Sequence, residues 1–588
     1  MAADAGDARD ARHQAEQVVR QRLEARRLHE HHHVAGAAGH LDRRRLPVRD
    51  EVARHGDRPA GLAVELDEGA HGHRSARRMR RDPGGARRLH ARPPPAHGRR
   101  VDAERRAEIA PAGARCGAHR VDDRQVELVE AGGGHEVSFP AREVPPREIS
   151  CNVRPRSIGN SSVAAMQTSE AAALRIHRVR LIDGVSDEVV EDAVLESDDA
   201  GRITYAGPAA GAPPARPGAT EIDGEGGTLL PGLFDCHTHL GMPSDRSVFE
   251  AALMSDPVLT ALDTVDRLER TLRAGITSVR DLGALPAGYR EAVARGRVAG
   301  PRIQTSIAVI GHTGGHADPT LPNGRSLDLD ACVIADDATG ARVAVRELVR
   351  AGADVLKICT SGGITSAADD PDDQDLLDEE IRAVVDEAER HGGRAVASHA
   401  QGRAGILSAL RGGVRSVEHG FGIDDEGCDL LGERGAFLVP TLSAVFQPLD
   451  PATTTPWRYQ KKLRWNAIAK ENIARAIERK VPIAAGTDAG ITPHGENPFE
   501  LWCLVELGMA PMDAVRAATA AGARLLGVDD RLGVLRPGHL ADVVLCADDP
   551  LRDIRALGDP SRITLVAQQG VVRATRLGDG LQAEGQHS

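Results

Sequence analysis

Aromatic residues and lysine are scarce in this chain, which has seven Phe, three Tyr, three Trp and five Lys among 588 residues. So few aromatics leave little on which bases of a single-stranded nucleic acid could stack. The eight Cys include no Cys-x-x-Cys pair, so neither a disulfide framework nor a zinc knuckle is expected. No run of about eighteen apolar residues occurs, which excludes a membrane-spanning helix by length. Neither Met1 nor Met166 is followed by a charged region, an apolar core and a cleavage site. The expected compartment is therefore the cytoplasm.

What is present is divided unevenly. Residues 1–165 hold 31 Arg, 13 His, a single aromatic (Phe139) and no Lys, for a formal charge of +7. The remainder carries −19. Runs such as Arg43–Arg45, His31–His33 and Pro93–Pro95 break any helical or strand period in the first part. A basic tail that binds nucleic acid is disfavoured, because acids interrupt the basic residues. Arg, Ala, Gly, Pro and His without Lys is also what a GC-rich non-coding frame gives when translated. The expectation is a start assigned too early, with translation beginning near Met166. A disordered extension and a folded domain are the alternatives.

After Met166, short alternating runs such as Leu174–Ile182 and Ile203–Gly207 are punctuated by Asp-Gly turns. From Leu229 the pattern becomes strand, helix, strand. Apolar runs at Leu229–Asp235, Ile276–Asp281, Arg302–Val309, Val355–Cys359, Ala395–Ser398, Ser416–Glu418, Phe437–Leu442 and Pro482–Thr487 alternate with segments of i, i+3, i+4 spacing. Ala-Gly recurs before strands, at Ala274-Gly275 and Ala351-Gly352, where glycine suits a helix end. Eight strand–helix units predict an α/β fold, a (β/α)8 TIM barrel over 231–530. The strands at both chain ends, 166–230 and 531–588, predict one small β-sandwich.

His237 and His239 end the first barrel run, and residues i and i+2 of a strand project to one face. Such a pair suits a metal, although one His-x-His also arises by chance. Lys357, His399, His419 and Asp488 each end a later apolar stretch. In a barrel all six would gather on the catalytic face.

Five phrases occur in order: Pro-Gly-Leu-Phe-Asp-Cys-His-Thr-His, Ala-Asp-Val-Leu-Lys-Ile, Ala-Ser-His-Ala-Gln-Gly, Ser-Val-Glu-His-Gly and Ala-Gly-Thr-Asp-Ala-Gly. With them, residues 174–575 resemble the two-metal branch of the amidohydrolase superfamily, in particular its imidazolonepropionase-like and Xaa-Pro dipeptidase-like members. The resemblance implies two divalent metal ions. His237, His239 and Asp488 would hold one, His399 and His419 the other, and Lys357 would bridge them as a CO2-derived carbamate. Zn2+ suits these nitrogen and oxygen ligands, and Mn2+, Co2+ and Ni2+ are alternatives. It also implies a metal-bridging hydroxide, with Asp488 moving its proton to the leaving nitrogen.

In the glycine-rich segment Gly311–Asp318, His316 is the stronger candidate to donate to a substrate carbonyl or carboxylate, and His312 the weaker. Ser361 and Gly362, after Lys357, offer a hydroxyl and backbone N–H groups to a carboxylate. Gln401 stands where relatives often carry an aromatic or His, and Arg403 is a further carboxylate-binding candidate. Asp281 is a candidate partner for a ligand imidazole.

The expected function is metal-dependent hydrolysis of a C–N bond, on dipeptides or N-acyl amino acids with a free carboxylate. Cyclic amides and carbamates are the alternative substrates. Deamination by a one-metal centre is disfavoured, because Gly402 stands where that branch carries Glu. A catalytically inactive scaffold would have lost ligands, and all six are present. The expected partner is a small-molecule substrate, with no membrane and no nucleic acid, and a homo-oligomer is possible.

Overall fold

The computed structural model describes residues 173–246, 248–321, 323–327 and 331–577. Residues 1–165, and the expectations about them, lie outside this range.

Alternating buried and exposed side chains draw out β1 (Leu174–Ile182), which turns antiparallel onto β2 (Val189–Ser197). Asp183 makes that turn, its carboxylate accepting from the N–H groups of Val185 and Ser186 at 2.7 and 2.8 Å. Next to β2 lies β3 (Ile203–Pro208). The other edge of β1 is shared. β4 (Thr220–Asp223) pairs parallel with its first half, and β5 (Thr228–Pro231) with its second.

The expected run Leu229–Asp235 is broken at Gly232, where a Cβ would lie 2.2 Å from Thr277 Oγ1. Beyond it, β6 (Leu233–Thr238), β7 (Ile276–Asp281) and β8 (Arg302–Thr305) form a parallel sheet of three. A second, six-stranded parallel sheet comprises β9 (Val309–Gly311), β10 (Cys332–Ile334), β11 (Leu356–Cys359), β12 (Val396–Ala400), β13 (Ser416–His419) and β14 (Phe437–Val439). The expected strand Arg302–Val309 divides because Ile307 takes φ +67° between β8 and β9.

Amphipathic helices join these strands. Asp256 caps α1 (Pro257–Arg273), which buries Leu268 and Leu272, and Pro257 fits the first helical position. Asp337 caps α2 (Ala338–Ala351), which ends on Gly352 at φ +99° as its Ala-Gly pair foretells. α3 (Asp378–Arg390), α4 (Arg403–Gly412) and α5 (Asp425–Arg434) follow in turn. After β14 come the short α6 (Leu442–Phe446), the long α7 (Pro456–Glu478) and α8 (Phe499–Glu506).

Pro482–Thr487, expected as a strand, makes a single isolated bridge instead, Ile483 opposite Leu438. It still links the two parallel sheets. Ala484 N–H donates to Leu438 O (3.1 Å) in β14, and Cys236 N–H of β6 donates to Ala485 O (2.9 Å). Elsewhere, Asp354 N–H, just before β11, donates to Thr305 O of β8 at 2.8 Å.

The chain then returns to its beginning. β15 (Val543–Cys546) pairs antiparallel with β5, Val544 opposite Leu230, and with β16 (Ile563–Gln568), which pairs with β17 (Val571–Thr575). Strands from both parts thus form one eight-stranded sheet. Its core mixes Leu174, Ile176, Leu181, Leu195 and Leu229 with Val543, Leu545 and Leu565. Among the described residues no helix is long and apolar enough to cross a membrane.

Leu545 is fully buried in that shared core. Leu545→Ala should cost about 2–5 kcal/mol, the range for buried Leu truncation, read as a lower urea midpoint with unchanged slope. An unshifted midpoint would show that the two chain ends do not stabilise one another.

Candidate metal centre

β6 ends by carrying His237 and His239 into a cluster of polar groups enclosed by protein. Their imidazole centroids are 5.3 Å apart, and their Nε2 atoms lie 3.5 and 3.3 Å from Asp488 Oδ1. The carboxylate arrives on the loop after Pro482–Thr487, where Asp488 N–H donates to His237 O (2.8 Å) and His239 N–H to Ala489 O (2.7 Å). One ligand atom from each of these three residues lies within 4.8 Å of the others.

The other rings close in from neighbouring strands. His419, ending β13, lies 5.0 Å from His237 and 4.6 Å from His399 of β12, centroid to centroid. Lys357 of β11 is buried, and its Nζ has no hydrogen-bond partner. Burial pushes its ammonium down from the usual lysine value. His237, Lys357, His399 and His419 are almost fully buried, whereas the His239 and Asp488 side chains keep 13% and 12% exposure. His419 and Asp488 take φ of +69° and +61°, a region few side chains adopt without help from their surroundings.

Each ring is held from behind. His237 Nδ1–H donates to Glu418 Oε2 (2.9 Å) and His239 Nδ1–H to Gly283 O (3.2 Å), which turns both Nε2 atoms toward Asp488. His419 Nδ1 pairs with Thr441 Oγ1 (2.8 Å), and His399 Nε2–H donates to Gly362 O (3.3 Å). Burial, then the Lys357 charge, holds His237 well below the usual imidazole value. Burial also lowers His399 and brings His419 to about 3. His239 differs: burial opposes its protonation, but the Asp488 carboxylate outweighs burial and raises it. Asp488 itself is held far below the usual carboxylate range, because His239 and His237 outweigh its burial.

Glu418 was not anticipated. In a regular strand residues 418 and 419 face opposite sides, so choosing His419 for the site argued against its neighbour. The positive φ of His419 breaks that alternation, and Glu418 also reaches His237. Its second oxygen accepts from Arg280 Nη2 at 2.8 Å, and Arg280 also donates to Cys236 O (2.7 Å) and Ser416 Oγ (2.9 Å). A charged residue inside the run Ile276–Asp281 was the available signal. Asp235 was missed as well. It accepts from the N–H groups of His237 and Thr487 (3.1 Å each), the Thr487 hydroxyl (2.6 Å) and Asn497 Nδ2 (2.7 Å).

The expected substrate contacts divide. His316 stacks on His399 at 4.2 Å and directs Nδ1 to Asp369 Oδ2 (3.1 Å). His312 Nε2 lies 3.1 Å from Asp375 Oδ1. Gln401 is buried beside the site, its Oε1 without a partner. Ser361 and Gly362 are occupied internally. The Ser361 hydroxyl donates to Gly362 O (2.8 Å) and accepts from Gln401 N–H (2.8 Å), and Gly362 N–H donates to Asp373 O (3.1 Å). The acidic loop 369–375 folds back and takes the Gly362 N–H.

Two expectations need correcting. Arg403, at the exposed start of α4, is neutralised by Asp424 and Glu426 on the protein surface. Asp281 makes no hydrogen bond to a ligand imidazole. It accepts from the N–H groups of Leu240 (2.6 Å) and Gly283 (3.2 Å), and burial pushes it up to about 7.

Comparison with known proteins identifies a family and several relatives. Residues 228–573 match the model of the amidohydrolase family. Ochratoxinase of Aspergillus niger is 31% identical over 447 residues, covering 73% of this chain and 91% of that protein. Imidazolonepropionase of Salinispora arenicola is 27% identical, over 64% of this chain and 88% of that protein. Among solved structures, a Xaa-Pro dipeptidase with methionine bound in its active site aligns with TM-score 0.61 at 32% identity, over 68% of this chain and 99% of that one.

Glu418→Ala should destabilise the protein by about 3–5 kcal/mol, because Arg280 is left buried without its counter-charge. Replacing both, as Arg280→Met with Glu418→Leu, should cost less than the single change. Urea denaturation of the three proteins tests this, and a double variant weaker than the single one would contradict it.

Proposed function

The chain belongs to the amidohydrolase family, enzymes of carbon–nitrogen bond hydrolysis, and on that premise we propose that it cleaves the amide of dipeptides or N-acyl amino acids with a free carboxylate. The observation that carries this reading is Lys357. A buried primary amine with no partner, among imidazoles held neutral by burial, is poorly placed to remain an ammonium. Its neutral nitrogen can attack CO2, lose a proton and become a carbamate with two ligand oxygens.

The donors fit a pair of divalent cations, zinc first among the candidates. His237, His239 and Asp488 would hold one, His399 and His419 the second, and the Lys357 carbamate would touch both. Bound there, the cations would lower the pKa of a water and polarise the scissile carbonyl. Asp488 accepts a proton from the attacking water on its carboxylate and returns it to the leaving nitrogen. As the imidazolium, paired through Nδ1–H with the Asp369 carboxylate, His316 would donate Nε2–H to the substrate carbonyl. Gln401 Oε1 is a second unpartnered polar atom for the substrate.

This reading puts the centre at the mouth of a closed (β/α)8 barrel over 231–530, flanked by a β-sandwich of 166–230 and 531–588. The hydrogen bonds from Pro482–Thr487 to both parallel sheets, and from Asp354 to Thr305, support closure. Likeness to ochratoxinase and to a Xaa-Pro dipeptidase supports the amide class. Imidazolonepropionase-like cyclic amides are the competing substrates.

The test joins metal analysis and native mass spectrometry to a screen of N-acyl amino acids, Xaa-Pro, Xaa-Arg and Xaa-Lys dipeptides and cyclic amides. Two metals per chain, a carbamate mass on Lys357 and turnover abolished by chelation are expected. Lys357→Ala should lose activity by more than the about 10- to 100-fold typical of an outer partner of a metal ligand. An active Lys357→Ala enzyme, or turnover confined to cyclic amides, would overturn the reading.

A further inference from the structure

The first turns of α7 carry three cations, Arg458, Lys461 and Lys462, and they are partnered unequally. Lys461 Nζ donates to the carbonyls of Gly363 (3.2 Å), Ser366 (2.9 Å) and Asp369, tying the helix to the loop that follows Lys357. Lys462 Nζ donates to Ala444 O (2.8 Å) in α6, three residues after Thr441, the partner of His419. Burial and the neighbouring Arg458 charge lower Lys462 to about 8, and the Asp488 carboxylate acts the other way. Both lysines therefore fasten this end of α7, one to the loop that follows Lys357 and the other to α6. Arg458 and Lys462 are four residues apart and share a helix face with buried Trp465 and Ala469.

Arg458 is the exception among buried guanidinium groups. Three described arginines have a buried Nε without a partner: Arg458, Arg475 and Arg516. Arg475 is satisfied through Nη2 by Ile423 O (2.9 Å) and Asn472 (2.8 Å), and Arg516 by Asp187 (2.5 Å) and Asp513 (2.9 Å). Arg458 has no hydrogen bond or ion pair with any described residue. A half-buried guanidinium without a counter-charge is unfavourable, and a planar anion is the partner it matches best.

We infer that Arg458, with Lys462 beside it, binds the free carboxylate of the substrate. The inference rests on the proposed reaction and names the group that would select its substrates. It also gives the role once expected of Arg403 to a cation that has no acid of its own.

The experiment uses the metal-loaded enzyme and its Arg458→Met, Arg458→Lys and Lys462→Met variants. Hydrolysis of N-acetyl-L-methionine is compared with that of N-acetyl-L-methioninamide. Binding of L-methionine and of L-methioninamide is measured by titration calorimetry. The wild type should prefer the carboxylate form about 10- to 100-fold, the worth of a hydrogen bond to a charged group. Arg458→Met should lose that preference, mainly through KM, with the carboxamide little changed. Arg458→Lys should keep part of it, which separates lost charge from lost fold, and Lys462→Met should weaken it less.

Equal treatment of acid and amide by the wild type, or an equal loss on both in Arg458→Met, overturns the assignment and leaves the reaction standing. Arg458-dependent binding of L-methionine without hydrolysis of any amide overturns the reaction and leaves the anion site standing.

Discussion

The buried Arg280–Glu418 pair is the contact on which the centre depends. It joins three strands: β7 supplies the guanidinium, β13 the carboxylate, and β6 both the Cys236 carbonyl that Arg280 binds and the His237 ring that Glu418 orients. Taking two charges out of water is costly, and their attraction repays it only when the remaining donors and acceptors are also met. Here both carboxylate oxygens and all three guanidinium nitrogens have partners. The return is geometric. His237 has one orientation and one tautomer, and the lone pair of Nε2 is left for the centre.

Asp235 does for the backbone what Glu418 does for the ring. Its four donors come from β6, from Thr487 and from Asn497, so it fastens the end of β6 to the loop that bears Asp488. That loop has almost no ladder of its own, and Asp488 holds an unfavourable φ. Glu500 anchors another strained corner. It accepts from the N–H groups of Leu442 and Ser443 and from the Ser443 hydroxyl, just after Thr441, which is itself left-handed. Buried carboxylates thus keep the loops around the candidate centre in conformations that their own sequences do not favour.

The elements that strand periodicity and spacing express were legible. These include most parallel strands, the Ala-Gly helix ends, and the convergence of His237, His239, Lys357, His399, His419 and Asp488. What escaped was set by tertiary contact. Gly232 and Ile307 divide runs that read as continuous, the first through a close approach to Thr277 and the second through its backbone angle. Pro482–Thr487 has the composition of a strand but bridges two sheets without joining either ladder. Glu418 was hidden by strand alternation, which sets it on the face opposite its neighbour His419. Arg403 and Arg458 cannot be ranked from sequence, because the difference between them lies in which acids fold against each.

The sheet shared by the two chain ends also bears on how the protein is made. Leu230 of β5 pairs with Val544 of β15, so one edge of the N-terminal strands has no partner until nearly the whole chain has left the ribosome. Until then Leu229 and Leu230, fully buried in the finished protein, border an open strand edge, the kind of surface through which nascent chains aggregate. The parallel strands and helices can assemble in order of synthesis, whereas the terminal sheet must wait for the last strands. It acts as a clasp that closes only on a complete chain, so fragments truncated before β15 would carry that edge exposed.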